Sequence, residues 1–197
     1  VREIVRKAVK VFETDLGCTV EEANPGWEDP YGAFWSIVAM ESDLKGLREL
    51  VKEHGHHMTP HLVDFINTPW TAEDFTNAVM TRKAVNNKMA AFMQNYDLLL
   101  TPTLTCPAFG LHMQGPEKTE GRIVHPFQWL AFTYPMNMTG QPAASIPAGL
   151  TADGLPVGLQ IVGRHLGDAT VMRASAAFET ARPWIDQRPP LVDELGL

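Results

Sequence analysis

The sequence predicts an α/β fold in which helices are layered on a mixed β-sheet. Residues 1–95 carry apolar side chains mainly at helical spacing, a short apolar run occupies residues 97–101, and two more apolar runs flank the turn dipeptide Asp153-Gly154. Strands this apolar need cover on both faces. We therefore expect helices on two sides of the sheet.

Three amphipathic helices are predicted in the first half of the chain. The first covers residues 3–16 and ends at Gly17. After it, residues 18–22 are typical of a short strand. A long helix is predicted over residues 29–53, with a break near Gly46. The next helix begins at Thr71, where Thr-Ala-Glu-Asp is a candidate cap, and its stripe consists of Phe75, Ala78, Val79, Val85, Met89, Phe92 and Met93.

The second half predicts strands, a long loop and a final helix. Residues 97–101 form a strand that ends at Pro102, and residues 102–126 contain four prolines and three glycines, which favours an extended loop. Residues 144–148 and 157–162 are predicted to form a hairpin. A last helix follows Gly167-Asp168 and ends before Pro183.

These elements divide the chain into a mainly helical layer (1–95), a region of strands, pocket loop and final helix (96–182), and a proline-rich tail (183–197). Three or four short strands make a narrow sheet with exposed edges. The sequence thus favours a part of a larger sheet, and an isolated chain is expected to dimerise or aggregate. Because Val1 stands where Met is usual and lies within a helical pattern, we also expect residues upstream to have been removed.

Composition excludes several functional classes. The 197 residues include 16 Lys and Arg and 23 Asp and Glu, a net charge of −7, which disfavours nucleic-acid partners. The apolar runs are too short to cross a bilayer, and no signal peptide is recognisable, so no membrane partner is expected. The only cysteines, Cys18 and Cys106, are far apart, which favours a reducing cytoplasm.

Serine chemistry has only poor candidates in these residues. There is no G-x-S-x-G motif, and although Ser42 and Lys45 match S-x-x-K, the accompanying motifs of that chemistry are missing. Ser145 follows two small residues but has no basic neighbour in sequence, which favours a packing or capping role. The sequence therefore offers no catalytic residue that we assign.

The histidines and acidic pairs that could bind a metal or act as acid and base are better explained as residues without a functional role. His54, His56, His57 and His61 form the densest group of possible ligands, yet no cysteine or carboxylate completes an obvious site. The acidic pairs at residues 21–22 and 28–29 are more typical of solvated charge than of a general acid and base. No glycine-rich phosphate loop is present. We predict no metal site.

Three ordered motifs stand out between residues 96 and 184. They are Tyr-Asp-Leu-Leu-Leu-Thr-Pro-Thr from Tyr96, Phe-Thr-Tyr-Pro-Met-Asn-Met-Thr-Gly-Gln-Pro-Ala-Ala-Ser-Ile-Pro-Ala-Gly from Phe132, continued by Gly-Leu-Pro-Val-Gly-Leu-Gln-Ile-Val-Gly-Arg from Gly154, and the segment 168–179. Together they resemble the C-terminal part of the amidase signature family. Residues 1–95 resemble that family only in their helix, strand, helix character.

The resemblance implies hydrolysis of carbon–nitrogen (amide) bonds by a serine nucleophile, in a large α/β/α sandwich with no metal or organic cofactor. It also implies that the nucleophile, a second serine, the activating lysine and the oxyanion hole lie in a preceding half, whose motifs are absent from this sequence. This chain alone is therefore predicted to be inactive, and the upstream half is its expected partner.

The resemblance assigns this segment to the wall of a substrate pocket. The loop after the first strand and the helix before Tyr134 supply the candidates, each of which has core packing as its competing explanation: Thr103, Leu104, Phe109, Trp129, Leu130 and Tyr134. The transamidation subunits of the family carry an acidic residue where this chain has Trp129-Leu130-Ala131. Because an unpaired ammonium is costly to desolvate, the apolar wall favours a neutral aryl or aliphatic amide over a tRNA-dependent role.

Two alternatives remain open. The chain could be a noncatalytic binding or self-association domain derived from the same fold, or a lysine-assisted hydrolase that uses Ser42 and Lys45.

Overall fold

The computed structural model describes residues 1–187 and 196. Its helices are α1 (Arg2–Thr14), α2 (Tyr31–Met40), α3 (Leu44–His54), α4 (Pro60–Asn67), α5 (Ala72–Phe92), α6 (Tyr134–Thr139) and α7 (Asp168–Ala181). Its strands are β1 (Leu98–Pro102), β2 (Lys118–Thr119), β3 (Arg122–Ile123), β4 (Ala143–Leu150) and β5 (Pro156–Gly163). Short 3-10 helices cover Gly55–His57 and Gln128–Leu130. Helices therefore dominate the first half of the described chain, and the strands lie in the second.

The main sheet has the strand order β1-β5-β4. The predicted hairpin is confirmed: β4 pairs with β5 with Ile146 opposite Leu159, and Gly154 in the connection has a φ of 78°. β1 pairs with the other side of β5, with Leu100 opposite Ile161. All pairs in the described part of the chain are antiparallel, whereas a mixed sheet was predicted. The α/β class itself is confirmed.

One face of the sheet is covered by α1 and α7. The buried side chains at this interface come from both helices and from alternate positions of the strands, as the two-residue period of a strand requires: Val5, Ala8, Val11, Phe12, Ile146, Val157, Leu159, Ile161, Val171 and Phe178. The rings of Phe12 and Phe178 stack with their centroids 5.6 Å apart. Through this apolar layer, α1 near the beginning of the chain and α7 near the end of the described residues pack together on the same face of the sheet.

The opposite face is covered by α5 and α6. Met89 and Met93 at the end of α5 pack with Met136 of α6 and Val162 of β5. Flexible methionine side chains suit such an irregular junction. α2 packs along α5, so the helical layer continues away from the sheet. The expected arrangement of helices on both faces is thus present.

The helix predicted over residues 29–53, with a break near Gly46, is two separate helices, α2 and α3. The break lies at residues 41–43 and not at Gly46, which belongs to the first turn of α3. There the carboxylate of Asp43 accepts a hydrogen bond from the Gly46 N–H at 3.0 Å and caps the helix. The hydroxyl of Ser42 donates to the carbonyl of Val38 at 2.6 Å, at the end of α2.

The helices beginning at Arg2 and at Ala72 are confirmed. Gly17, with a φ of 68°, follows the end of α1, and the side chains of Thr71 and Asp74 form a reciprocal capping box at the start of α5. By contrast, α4 was not predicted. It begins with Pro60 at its first turn, where the missing N–H of proline costs no helical hydrogen bond.

The strand predicted over residues 18–22 is wrong. These residues have no regular structure and no ladder partner in the described part of the chain. Val20 alone packs against the core beneath the sheet, while Cys18 is exposed. The segment instead carries the chain from α1 towards α2.

The loop predicted over residues 102–126 is largely irregular and contains the two-residue strands β2 and β3. The final helix is confirmed as α7. Of the tail, residues 183–187 follow α7, with Trp184 near the ring of Phe178, and residues 188–195 and 197 lie outside the described residues.

Candidate functional site

The loop that follows β1 is fixed to the sheet at Thr103. Its N–H donates to the carbonyl of Gly158 at 3.0 Å, and its hydroxyl lies 2.7 Å from the hydroxyl of Ser145. A Cβ atom on Gly158 would lie 2.6 Å from the Thr103 hydroxyl, so only glycine leaves room for this pair. Thr103 and Ser145 thus meet where β4 and β5 run side by side.

The same loop contacts the 3-10 helix at Gln128–Leu130. The N–H of Thr105 donates to the carbonyl of Trp129 at 3.1 Å, and the ring of Phe109 meets the indole of Trp129 edge to face at 5.5 Å. The indole N–H of Trp129 donates to the carbonyl of Gln114 at 2.8 Å. Five of the six predicted residues therefore lie on two adjoining segments, which we call the pocket wall after the role predicted for them: Thr103, Leu104, Phe109, Trp129 and Leu130.

Tyr134, the sixth predicted residue, points elsewhere. Its side chain is buried, with 2% of its surface exposed, and its ring stacks on Phe34 of α2 at 5.3 Å. Its hydroxyl donates to the carboxylate of Asp29. Burial first, and then the hydrogen bond to Asp29, raises the pKa of the Tyr134 hydroxyl well above its ordinary value. Tyr134 therefore joins α6 to the helical layer and presents no open surface.

A cavity of about 810 Å³ opens between α2, α4, α5 and the loop residue Phe127. We call it the aromatic cavity after the side chains that dominate its lining: Tyr31, Trp35, Phe65, Trp70 and Phe127. Trp35 is central, with ring centroids 5.5 Å from Phe65 and 5.2 Å from Phe127. A cavity of this size and lining is typical of a site for a small apolar ligand.

The aromatic cavity also has polar groups, among them two carboxylates. They come from Ser36, His61, Asp64, Thr68, Asp74, Asn77 and Thr81, and among the described residues neither Lys nor Arg lines it. The carboxylate of Asp74 already accepts hydrogen bonds from the backbone and the hydroxyl of Thr71, which lower its pKa. The two carboxylates, with no cation beside them in the described lining, make the cavity unsuited to an anion.

None of the six predicted residues lines the aromatic cavity, and sequence reasoning missed it. The two regions adjoin: Phe127 of the cavity lies two residues before Trp129 of the pocket wall, and the ring of Tyr31 meets that of Tyr134 edge to face at 6.2 Å. The available signal was the density of aromatic residues at positions 31, 34, 35, 65 and 70.

The rejected candidates have structural partners. Ser42 is bound to the carbonyl of Val38, and Ser145 to the hydroxyl of Thr103. The rings of His56 and His57 lie 3.9 Å apart, yet within the described residues no group of three possible ligands is close enough for a metal ion. Of the acidic pairs, Glu21 accepts a hydrogen bond from the hydroxyl of Tyr96.

Comparison with known proteins agrees with this architecture. The amidase family profile matches residues 36–172, which include the second half of α2, helices α3 to α6 and the whole main sheet. The chain belongs to the amidase family. Among the helices of residues 1–187, none is long and apolar enough to span a membrane.

Individual amidases match over most of this chain. An acylamidase from Rhodococcus erythropolis is 38% identical in an alignment of 191 residues that covers 92% of this chain and 39% of the relative. A 6-aminohexanoate-cyclic-dimer hydrolase from Paenarthrobacter ureafaciens is 40% identical in an alignment of 105 residues that covers 50% of this chain and 21% of the relative. The crystal structure of a bacterial aryl acylamidase superposes with a TM-score of 0.82 at 32% identity, covering 95% of this chain and 42% of that structure. The chain thus spans about 40% of the length of these two acylamidases.

Proposed function

We propose that this chain is the C-terminal segment of an amidase that cleaves carbon–nitrogen bonds with a serine nucleophile. The nucleophile, the activating lysine and the oxyanion donors would come from an upstream half of the domain, and the active protein would work in the cytoplasm. The observation that carries the proposal is the match to the Rhodococcus acylamidase, which extends over 92% of this chain. In this proposal, the 197 residues contribute surface that binds the substrate.

The pocket wall favours a neutral aryl or aliphatic amide. Leu104, Phe109, Trp129 and Leu130 present hydrocarbon and aromatic surface, and the hydroxyl of Thr103 is already paired with Ser145. A charged ammonium placed against this surface would lose its hydration without gaining a carboxylate partner. The same argument disfavours the amino acid substrate of a tRNA-dependent transamidation.

The aromatic cavity extends the surface available to such a substrate. Its volume of about 810 Å³ accommodates the acyl or the leaving group of a small amide, and its rings bury apolar surface at little cost in entropy. The pocket wall would bind one side of the amide and the cavity the other. Hydrolysis would then depend on how the upstream serine is placed relative to both.

A chimera tests the proposal. The upstream part of the Rhodococcus acylamidase that this chain does not match is fused to residues 1–197, and hydrolysis of acetanilide is followed as release of aniline. We expect hydrolysis by the chimera and none above buffer by the 197-residue chain alone. A folded chimera that lacks activity, although the intact acylamidase is active in the same assay, would contradict the proposal.

Substitution of Leu130 in the chimera tests the preference for neutral substrates. Leu130→Asp should lower kcat/KM for acetanilide and raise it for an amide that carries an ammonium group, because the carboxylate pairs with that cation. Leu130→Asn is the matched control, since it is polar but uncharged. A Leu130→Asp chimera that keeps the wild-type preference would count against the proposed wall.

The alternative is a noncatalytic domain that binds a second copy of itself. The outer edges of β1 and β4 have no pairing strand in the part of the chain that the structure describes, and such edges favour association. Sedimentation of the 197-residue chain and the activity of the chimera together separate the two functions. A chain that forms a tight dimer, together with a chimera that is inactive, favours the alternative. Hydrolysis by the chain alone that is lost in Ser42→Ala would instead favour the lysine-assisted serine.

A further inference from the structure

Asp29 precedes α2 and binds three separate parts of the structure. One carboxylate oxygen, Oδ1, accepts from the N–H of Tyr31 at 3.1 Å and from the hydroxyl of Tyr134. The other, Oδ2, accepts from the side-chain amide of Gln128 at 2.7 Å. Two of these partners are 99 and 105 residues away in the sequence. Asp29 is exposed, as its sequence context predicts, and it nevertheless makes long-range contacts.

The partners of Asp29 belong to the two regions of the candidate site. Tyr31 lines the aromatic cavity, Gln128 directly precedes Trp129 of the pocket wall, and Tyr134 begins α6 immediately after that wall. Hydrogen bonds to a carboxylate are stronger than those between neutral groups. The three bonds therefore fix the distance between the cavity and the wall.

Ring contacts around Asp29 support the same geometry. Tyr31 stacks on His125 at 4.8 Å with nearly parallel planes, and it meets Tyr134 edge to face. The loop before the pocket wall is therefore held against α2 by one aromatic stack and by the Asp29 carboxylate. In the described part of the chain, neighbouring Glu28 makes no hydrogen bond or ion pair, which makes it a natural control.

We infer that Asp29 is a positioning residue that holds the pocket wall against the aromatic cavity, so that the two form one binding site. The inference rests on the proposed function, because it assumes that both regions contact the same ligand. Asp29 itself acts only through Tyr31, Gln128 and Tyr134. Loss of its carboxylate would leave each region folded but misaligned with the other, and small misalignments of a binding site are costly.

The test compares Asp29→Ala, Asp29→Asn and Glu28→Ala in the 197-residue chain. Asparagine keeps the oxygen that accepts from Tyr31 and Tyr134, and its amide can donate to the Gln128 carbonyl after that side chain turns over. We expect Asp29→Ala to weaken acetanilide binding about tenfold, as measured by calorimetry, whereas Asp29→Asn stays within about twofold of the wild type. Glu28→Ala should bind as the wild type does.

Hydrogen exchange supplies a readout that needs no ligand. In Asp29→Ala, amides of residues 125–134 should exchange about tenfold faster, while those of β5 keep their wild-type rates and show that the fold is intact. Unchanged exchange and binding in Asp29→Ala would overturn the inference, and so would an Asp29→Asn variant as impaired as the alanine variant. If the wild-type chain alone binds no acetanilide, KM for acetanilide is compared between the same variants in the active chimera, and an inactive chimera means that the proposed function fails. Hydrogen exchange in the 197-residue chain then decides by itself whether Asp29 holds the wall.

Discussion

The hydroxyl oxygens of Thr103 and Ser145 lie 2.7 Å apart, and both lie close to the position that a Cβ atom of Gly158 would take. A Cβ at Gly158 would lie 2.6 Å from the first hydroxyl and 2.8 Å from the second, well inside contact distance. The carbonyl of Gly158 also accepts from the N–H of Thr103. Strand β5 thus anchors the start of the pocket wall through a position without a side chain.

Replacing Gly158 with alanine should therefore destabilise the protein. Overpacking of a site like this costs about 1–3 kcal/mol in the free energy of unfolding, because the two hydroxyls must separate or the strands must shift. Urea unfolding followed by circular dichroism measures the loss. The control is Gly32→Ala: a Cβ at Gly32 in α2 meets no atom within 4 Å, and alanine favours the helix. A Gly158→Ala variant as stable as Gly32→Ala would contradict the packing described here.

Arg82 of α5 connects three helices. Its Nε donates to the carbonyl of Met138 at 2.9 Å, and its terminal guanidinium nitrogen lies 3.0 Å from the carboxylate of Glu41. The carbonyl lies at the end of α6, where helical carbonyls have no partner of their own. Arg82→Met keeps most of the side-chain volume and removes both interactions.

We expect Arg82→Met to lower the free energy of unfolding by about 1–2 kcal/mol, mainly through the unpaired Met138 carbonyl. Lys83→Met is the control, because Lys83 is exposed on the same helix. Glu41→Gln separates the two contributions and should cost less, since the Glu41 pair is solvent-exposed. Equal unfolding curves for Arg82→Met and Lys83→Met would show that the carbonyl finds another donor.

The fold could be predicted where the signal is local. The Asp153-Gly154 turn between two apolar runs identified the hairpin, and Thr71 with Asp74 identified the start of α5, because each depends on residues within a few positions of one another. The break between α2 and α3 was predicted near Gly46 and not at residues 41–43, because apolar residues continue at helical spacing across it. Its cause is the cap at Asp43, which competes with a continuous helix.

The candidate site was only partly predictable for a different reason. Thr103 and Trp129 belong to segments whose motifs resemble a known family, whereas the aromatic cavity has no motif. Trp35, Phe65 and Phe127 are 30 to 92 residues apart in sequence, and only the packing of α2, α4 and the long loop brings their rings together. Asp29 was missed likewise, since its partners lie about 100 residues away.

The capping box of α5 predicts a dependence of stability on pH. Hydrogen bonds from the side chain and the backbone of Thr71 lower the pKa of Asp74 below its ordinary value of 3.8. The folded pKa is therefore the lower one, so this carboxylate contributes stability above about pH 4 and loses it as the pH falls through the folded pKa. Between about pH 5 and pH 2, Asp74→Asn should lose less stability than the wild type. Asp64→Asn is the control, and a wild-type slope in Asp74→Asn would contradict the assignment.

The two cysteines should differ in reactivity. Burial raises the pKa of the Cys106 thiol, and that side chain is partly covered, whereas Cys18 is exposed in the segment after α1. Because the thiolate is the reactive form, iodoacetamide at neutral pH should label Cys18 about tenfold faster than Cys106. Peptide mass spectrometry of a time course measures both rates, with Cys18→Ser and Cys106→Ser to confirm each peptide. The difference would be refuted if iodoacetamide labelled Cys18 and Cys106 at equal rates in the native protein and also at equal rates in urea.

The indole N–H of Trp129 should control the order of the long loop. It donates to the carbonyl of Gln114, and a Cβ on neighbouring Gly115 would lie 2.6 Å from the same indole ring, so backbone and ring are in close contact. Trp129→Phe keeps an aromatic ring for Phe109 and removes the donor. Limited proteolysis should then cleave residues 105–126 about three- to tenfold faster, as expected for the loss of one hydrogen bond. Trp184→Phe is the control, because the indole of Trp184 donates no hydrogen bond within the described residues; identical cleavage of both variants would mean that the ring contact alone holds the loop.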